Sequence, residues 1–324
     1  MSISADLRHE LSPGRDDSDP VRLFNTHLEG GTLTKELALS HLKALTKTTR
    51  YDTGLGEATL KWMWNKHDKY DDSKEDRDLL KQTIRHLVRE GKEELAWNWI
   101  EQDSRTSDDS LDPKALYIWR SATVSALVSA KAFSADYDSL DGALETFFRA
   151  KSSSYSIPLA PVRSTVATLL MMPREKMVMD SADVDIEVPR WPNTSTELWE
   201  NFFKSIDGRL YNLQPLSVQL PLYHPQVPNA LPFLEHCRYL AEKKAYMRKM
   251  VKEPSVIPWT RRGLHAEAVL RRQGHDQHAD WLRDFIRVLH KKSKPIRDKE
   301  EKLRRAMIGK LRRRKLSEQT QTCH

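Results

Sequence analysis

The sequence predicts an all-α fold built of antiparallel helical hairpins, and three observations carry that expectation. Apolar residues recur at three- and four-residue spacing over most of the chain. Only 11 of the 324 residues are glycine while 31% are charged, a balance that suits surface-charged helices and not a turn-rich sheet. Helix start and stop signals, Asp-Pro pairs and single glycines, fall between the periodic runs.

In chain order, residues 1–18 are polar and expected to be disordered. Asp19-Pro20 opens a helix with Val21, Phe24 and Leu28 on one face, stopped by Gly30-Gly31. A second helix is expected over 34–46 and a third over 55–66. The clearest unit is 74–102: Leu80, Ile84 and Leu87 line one helix, Gly91 turns the chain, and Leu95, Ala96 and Trp99 line the next. Asp112-Pro113 starts a long helix to about Ala132, and its partner runs from Leu140 to Ala150. Twelve of the sixteen prolines then lie between Pro158 and Pro258, so this middle segment is read as short helices with extended stretches. Helices fit at 162–172, at 195–206 with a Thr194/Glu197 capping box, and as one run over 230–251. Val184, Ile186 and Val188 alternate with acids as an extended arm, and 215–228 reads as polyproline-like. Helices return at about 260–272 and 275–290, and a charged helix closes the chain over about 296–316. The organisation expected is 1–18, a hairpin domain 19–155, a proline-rich segment 156–229, a helical region 230–292, and a basic helix and tail 293–324.

Two segments share a layout: Leu87-Val-Arg-Glu-Gly91-Lys-Glu-Glu-Leu-Ala96 and Leu270-Arg-Arg-Gln-Gly274-His-Asp-Gln-His-Ala279. The glycine supplies the positive φ that ends the first helix, and the small alanine lets the second pack close. This layout resembles the hairpin unit of tetratricopeptide and pentatricopeptide repeat proteins, over two or three hairpins. The resemblance implies a short irregular α-solenoid. The RNA-reading members use polar residues at fixed repeat positions, and no repeat register places any residue of this chain at those positions.

The net charge of +7 is unevenly distributed. Residues 287–317 hold fourteen Lys/Arg against Asp298, Glu300 and Glu301, a local +11, so the remainder sums to 7 − 11 = −4. Within that end, Arg304, Arg305, Lys310, Arg312, Arg313, Arg314 and Lys315 are the candidates for a nuclear-import signal or a phosphate-binding patch. Ser317 is a candidate phosphosite whose modification would oppose that charge.

Other candidates compete with plainer readings. His265, His275 and His278 lie close in sequence, but zinc needs further ligands and His-Glu-x-x-His is absent. Trp62/Trp64 and Trp97/Trp99 are i,i+2 pairs, so one ring of each is expected in the core and the other partly exposed. Pro158-Leu-Ala-Pro161-Val-Arg163 matches a proline-recognition ligand, but a helix start at Pro161 is the simpler reading. Cys237 and Cys323 are the only cysteines, which argues for a reducing compartment and against a disulfide framework. No phosphate loop, nucleophile elbow or cofactor motif occurs, so no cofactor and no metal are expected. No apolar run suffices to span a bilayer, and the acidic start argues against mitochondrial import, leaving nucleus or cytoplasm and not secretion. The expectation is a non-catalytic scaffold or adaptor for a protein partner, whose basic end serves import or nucleic-acid contact. A helical-repeat RNA-binding protein is the alternative, and a helical enzyme with dispersed residues comes third.

Overall fold

The computed structural model describes residues 19–46, 53–65, 73–102, 113–133, 138–172, 191–206, 215–252, 256–295, 298, 299 and 302. Among these residues there are fourteen α-helices, one 3-10 helix and no strand, so the all-α class is observed. No described helix is long and apolar enough to cross a membrane. Residues 1–18, the Val184–Val188 arm and the basic stretch from Arg304 to Ser317 lie outside the described residues. Two compact units are present: Met1–Met172 with Trp191–Leu198, and Pro173–Arg190 with Trp199–His324.

The first unit begins with α1 (Pro20–Glu29), α2 (Lys35–Thr46), α3 (Leu55–Asn65), α4 (Lys74–Arg89) and α5 (Glu94–Gln102). Asp19 accepts the Val21 N–H at 3.2 Å, and Ser73 accepts that of Asp76 at 3.1 Å, which fixes the starts of α1 and α4. Gly91, at φ +67°, ends α4 by letting the Lys92 N–H reach back to the Leu87 carbonyl at 2.8 Å. Phe24, Leu37, Leu42, Leu55 and Leu79 form one buried cluster, with α4 packed against both α2 and α3. Three further helices complete the unit, α6 (Pro113–Ala132), α7 (Asp141–Ser152) and α8 (Leu159–Leu170). On α6 the buried positions Thr123, Val124, Ala126, Leu127, Val128 and Ala130 exceed a single stripe. A helix buried on several sides needs neighbours on several sides, and α6 has α4, α7 and α8.

Helix α8 starts at Leu159 with Pro158 as its N-cap, so Pro161 sits in the first turn, where the missing N–H costs nothing. The proline pair is part of a helix and not an extended ligand. The expected Thr194 cap is displaced by one residue. Ser195 accepts the Leu198 N–H at 3.4 Å to start α9 (Thr196–Lys204), while the Thr194 hydroxyl accepts from the Leu140 N–H at 3.1 Å. A partner 54 residues away thus decides which of two adjacent hydroxyls caps.

The second unit contains α10 (Leu216–Gln219), a 3-10 turn (Leu220–Tyr223), α11 (Leu231–Glu242), α12 (Lys244–Met250), α13 (Val256–Arg272) and α14 (Asp276–Lys292). Residues 216–223 are therefore helical and not polyproline-like, because Pro221 occupies the first turn of the 3-10 segment. Helix α13 begins four residues before the expected Thr260, again with a proline, Pro258, in its first turn. Gly274, at φ +76°, links α13 to α14 with the same backbone closure seen at Gly91: the His275 N–H meets the Leu270 carbonyl at 2.9 Å. Gly263 brings the two helices together, since a Cβ there would lie 2.2 Å from Ile286 Cδ1. Buried Glu267 accepts from Arg271 at 2.8 Å and Arg283 at 2.6 Å, so the one carboxylate inside this hairpin is neutralised by both helices.

Candidate nucleic-acid interface

The described residues carry one surface where exposed aromatic rings and unpaired cations coincide, on α11 and α12 of the second unit. It rests on a firm base. Phe233, Leu234, Cys237 and Leu240 form the buried stripe of α11, with Phe233 and Trp259 in ring contact at 4.5 Å. Burial pushes the Cys237 thiol well above its ordinary range, so it stays protonated and is no nucleophile. The opposite face of α11 presents Glu235, Tyr239 and Glu242.

At Lys243 the chain leaves the helix (φ −95°, ψ 84°), and its N–H caps α11 on the Tyr239 and Leu240 carbonyls at 3.3 and 3.2 Å. The single run expected over 230–251 is thus two helices. The apolar spacing runs on undisturbed through the break, Leu240 to Met247 to Met250, and gives no sign of it. On α12, Met247 and Met250 point inward at 9% and 0% exposure, which leaves Tyr246, Arg248 and Lys249 outside.

Tyr239 and Tyr246 are 46% and 43% exposed, with ring centroids 6.1 Å apart and planes 38° from parallel. The Lys243 Nζ lies 5.9 Å from the Tyr239 ring centroid, and the His236 ring centroid is 6.2 Å from it. Lys243 to Lys252 contain five cations and no acid. Lys243, Arg248, Lys249 and Lys252 are exposed and take part in no salt bridge among the described residues. Cations left without carboxylates keep their full charge available to an external anion.

None of these residues was singled out from sequence. The +11 end dominates the charge distribution, although Lys-Lys-Ala-Tyr-Met-Arg-Lys-Met-Val-Lys (243–252) carries a signal of its own: a basic run without acids, containing an aromatic.

The sequence-derived candidates fall elsewhere. Of the segment 294–317, Lys294, Pro295, Asp298, Lys299 and Lys302 are described, all exposed. His275 and His278 stack at 5.9 Å, and His278 Nδ1 accepts from Arg238 Nη2 at 3.2 Å. His265 is buried against Tyr223, its Nε2 on the Leu222 carbonyl at 3.3 Å. No group of three His, Cys, Asp or Glu is placed to hold a metal among the described residues. In the first unit Trp97 is buried under the Arg149 guanidinium at 4.3 Å. Trp99 lies between Trp64 at 6.2 Å and Trp119 at 4.4 Å, so both its neighbours are indoles of the chain itself.

Comparison with protein-family models, with curated proteins and with solved structures finds no match to this chain.

Proposed function

We propose that the chain is a non-catalytic helical protein that binds nucleic acid through the α11–α12 face, with Arg304, Arg305, Lys310, Arg312, Arg313, Arg314 and Lys315 adding phosphate contacts. The observation that carries the reading is a run of four exposed cations, Lys243, Arg248, Lys249 and Lys252, without salt-bridge partners among the described residues, beside two half-exposed tyrosines on a face whose exposed acids are Glu235 and Glu242. Each Lys or Arg that meets a phosphate releases condensed counterion, so affinity falls steeply with salt. The test is a salt titration of the full chain against a fluorescein-labelled twelve-nucleotide RNA, read by anisotropy. Replacing Lys243, Arg248, Lys249 and Lys252 together by Gln is expected to weaken binding at least tenfold. It also flattens the log K against log salt slope by about 3, four contacts at roughly 0.7 each. An unchanged slope, or no binding by the native chain at low salt, contradicts the reading.

The basic end supports a companion proposal of nuclear import. Full chain carrying Arg312→Ala, Arg313→Ala and Arg314→Ala is expected to lose nuclear accumulation in cells, and an unchanged distribution contradicts it. A scaffold for a protein partner is the second reading. It is favoured by Val227 and Leu231, apolar side chains 67% and 37% exposed at the entry to α11. It gains ground if no oligonucleotide gives a salt-dependent signal.

A further inference from the structure

We infer that the α11–α12 face selects single strands, stacking bases on Tyr239 and Tyr246 while Lys243, Arg248, Lys249 and Lys252 hold the adjoining phosphates; the inference rests on the nucleic-acid reading above.

The chemistry follows from what the face offers. In a duplex the base faces are covered by their neighbours, and the A-form major groove is too deep and narrow for side chains to read. Two tyrosines on an outward surface therefore gain little from a duplex beyond phosphate attraction. A single strand presents bare π-faces, and base–aromatic stacking next to a cationic track is how sequence-tolerant single-strand sites work.

The ring geometry decides how the bases sit. Stacked bases rise about 3.4 Å per step, so a base wedged between two rings needs roughly 6.8 Å between parallel planes. Tyr239 and Tyr246 are 6.1 Å apart and tilted by 38°, too close and too skewed to admit one. Bases stack instead on what each ring leaves exposed, Tyr239 beside His236 and Tyr246 beyond it, and the strand runs along the row. Lys243 stands between the two tyrosines in sequence with its Nζ by the Tyr239 ring; Arg248 and Lys249 follow Tyr246 on the same short helix. No base-edge reader is required, so the site tolerates sequence and takes DNA as well as RNA.

An anionic membrane also attracts lysine and tyrosine, but a helix that lies on a bilayer needs an apolar face to bury. The apolar face of α12, Met247 and Met250, is already inside the protein.

The experiment compares a labelled twelve-nucleotide single strand of mixed sequence with its blunt duplex, on the full chain at about 0.1 M salt. The single strand is expected to bind at least tenfold tighter. Tyr239→Leu with Tyr246→Leu is expected to lose at least tenfold for the single strand and to leave duplex affinity unchanged. Tyr239→Phe with Tyr246→Phe, which keeps the rings, is expected to bind like the native chain. Circular dichroism of each variant establishes that the helices are intact. If the Leu pair, folded, binds the single strand as tightly as the native chain, the stacking inference falls and the phosphate reading stands. If the Phe pair loses as much as the Leu pair, stacking is not what the tyrosines supply. If neither oligonucleotide binds, both readings fall, and binding to phosphatidylserine vesicles in that case assigns the face to a lipid surface.

Discussion

Acidification from pH 7 to pH 4 is expected to destabilise the second unit by about 3 kcal/mol through His265 alone, at 1.36 kcal/mol per unit of pKa difference. Burial holds this imidazole near a pKa of about 4, against an ordinary 6.5, and Arg272 pushes it in the same direction. The hydrogen bond from Nε2 to the Leu222 carbonyl opposes them only in part. Because a carbonyl accepts, Nε2 carries the proton of the neutral ring; Nδ1 is buried without a hydrogen-bond partner among the described residues. A second proton at Nδ1 would place a charged N–H where nothing receives it. Above pH 6.5 both folded and unfolded states are neutral and the group is silent. Between 6.5 and 4 the unfolded state takes up the proton first, so stability falls as the pH falls. His265→Phe keeps the ring stack on Tyr223, which stands at 5.1 Å and 19°. It should cost about 1 kcal/mol near neutrality for the lost hydrogen bond and flatten the acid response. Urea titrations at about pH 7, 5.5 and 4.5, with pulsed hydrogen exchange reporting on 256–272, test this. Parallel acid responses in the two proteins would contradict it. In the first unit His86, buried with Nε2 2.9 Å from the Leu42 carbonyl, is lowered for the same principal reason and gives a loss of the same sign.

Gly56→Ala is the second large effect, expected to destabilise the first unit by about 3 kcal/mol. A Cβ at this position would stand 2.6 Å from the Leu87 nitrogen and 2.9 Å from the His86 carbonyl carbon, both backbone atoms of α4. Backbone cannot rotate aside, so α3 would have to lift off α4. The lift would also pull the start of α3 from its cap, since Glu90 reaches across to accept the Gly56 and Glu57 N–H groups at 2.9 and 3.3 Å. The control is Gly54→Ala. Gly54 has φ +68° and open space around its Cβ position, so it bears only the left-handed penalty of about 1–2 kcal/mol. Thermal melts should rank Gly56→Ala clearly below Gly54→Ala, by roughly 2–4 °C for each kcal/mol between them. The reverse order would show that α3 and α4 do not approach this closely.

The helices were legible where punctuation and period agree. Asp19-Pro20, Gly91 and Gly274 each act through a backbone geometry that residue type alone dictates, and the turns stand where those residues do. Legibility failed where the same residue has two uses. Pro221 and Pro258 read as breaks, yet a proline in a first turn loses no hydrogen bond, and both sit in the opening turn of a helix. The break at Lys243 had no punctuation at all. The α11–α12 face was hidden for a different reason. Lysine and tyrosine in a helical run are unremarkable until exposure and the absence of carboxylate partners are known, and both depend on how α11 and α12 meet the rest of their unit.

The most direct test of the α11–α12 assignment is photochemical cross-linking of the full chain to a 4-thiouridine-containing twelve-nucleotide single strand, with the adducts mapped by mass spectrometry. Adducts at Tyr239 or Tyr246, suppressed by unlabelled single strand and not by duplex, are the expected result. Adducts confined to residues 304–315, or scattered without competition, would contradict it.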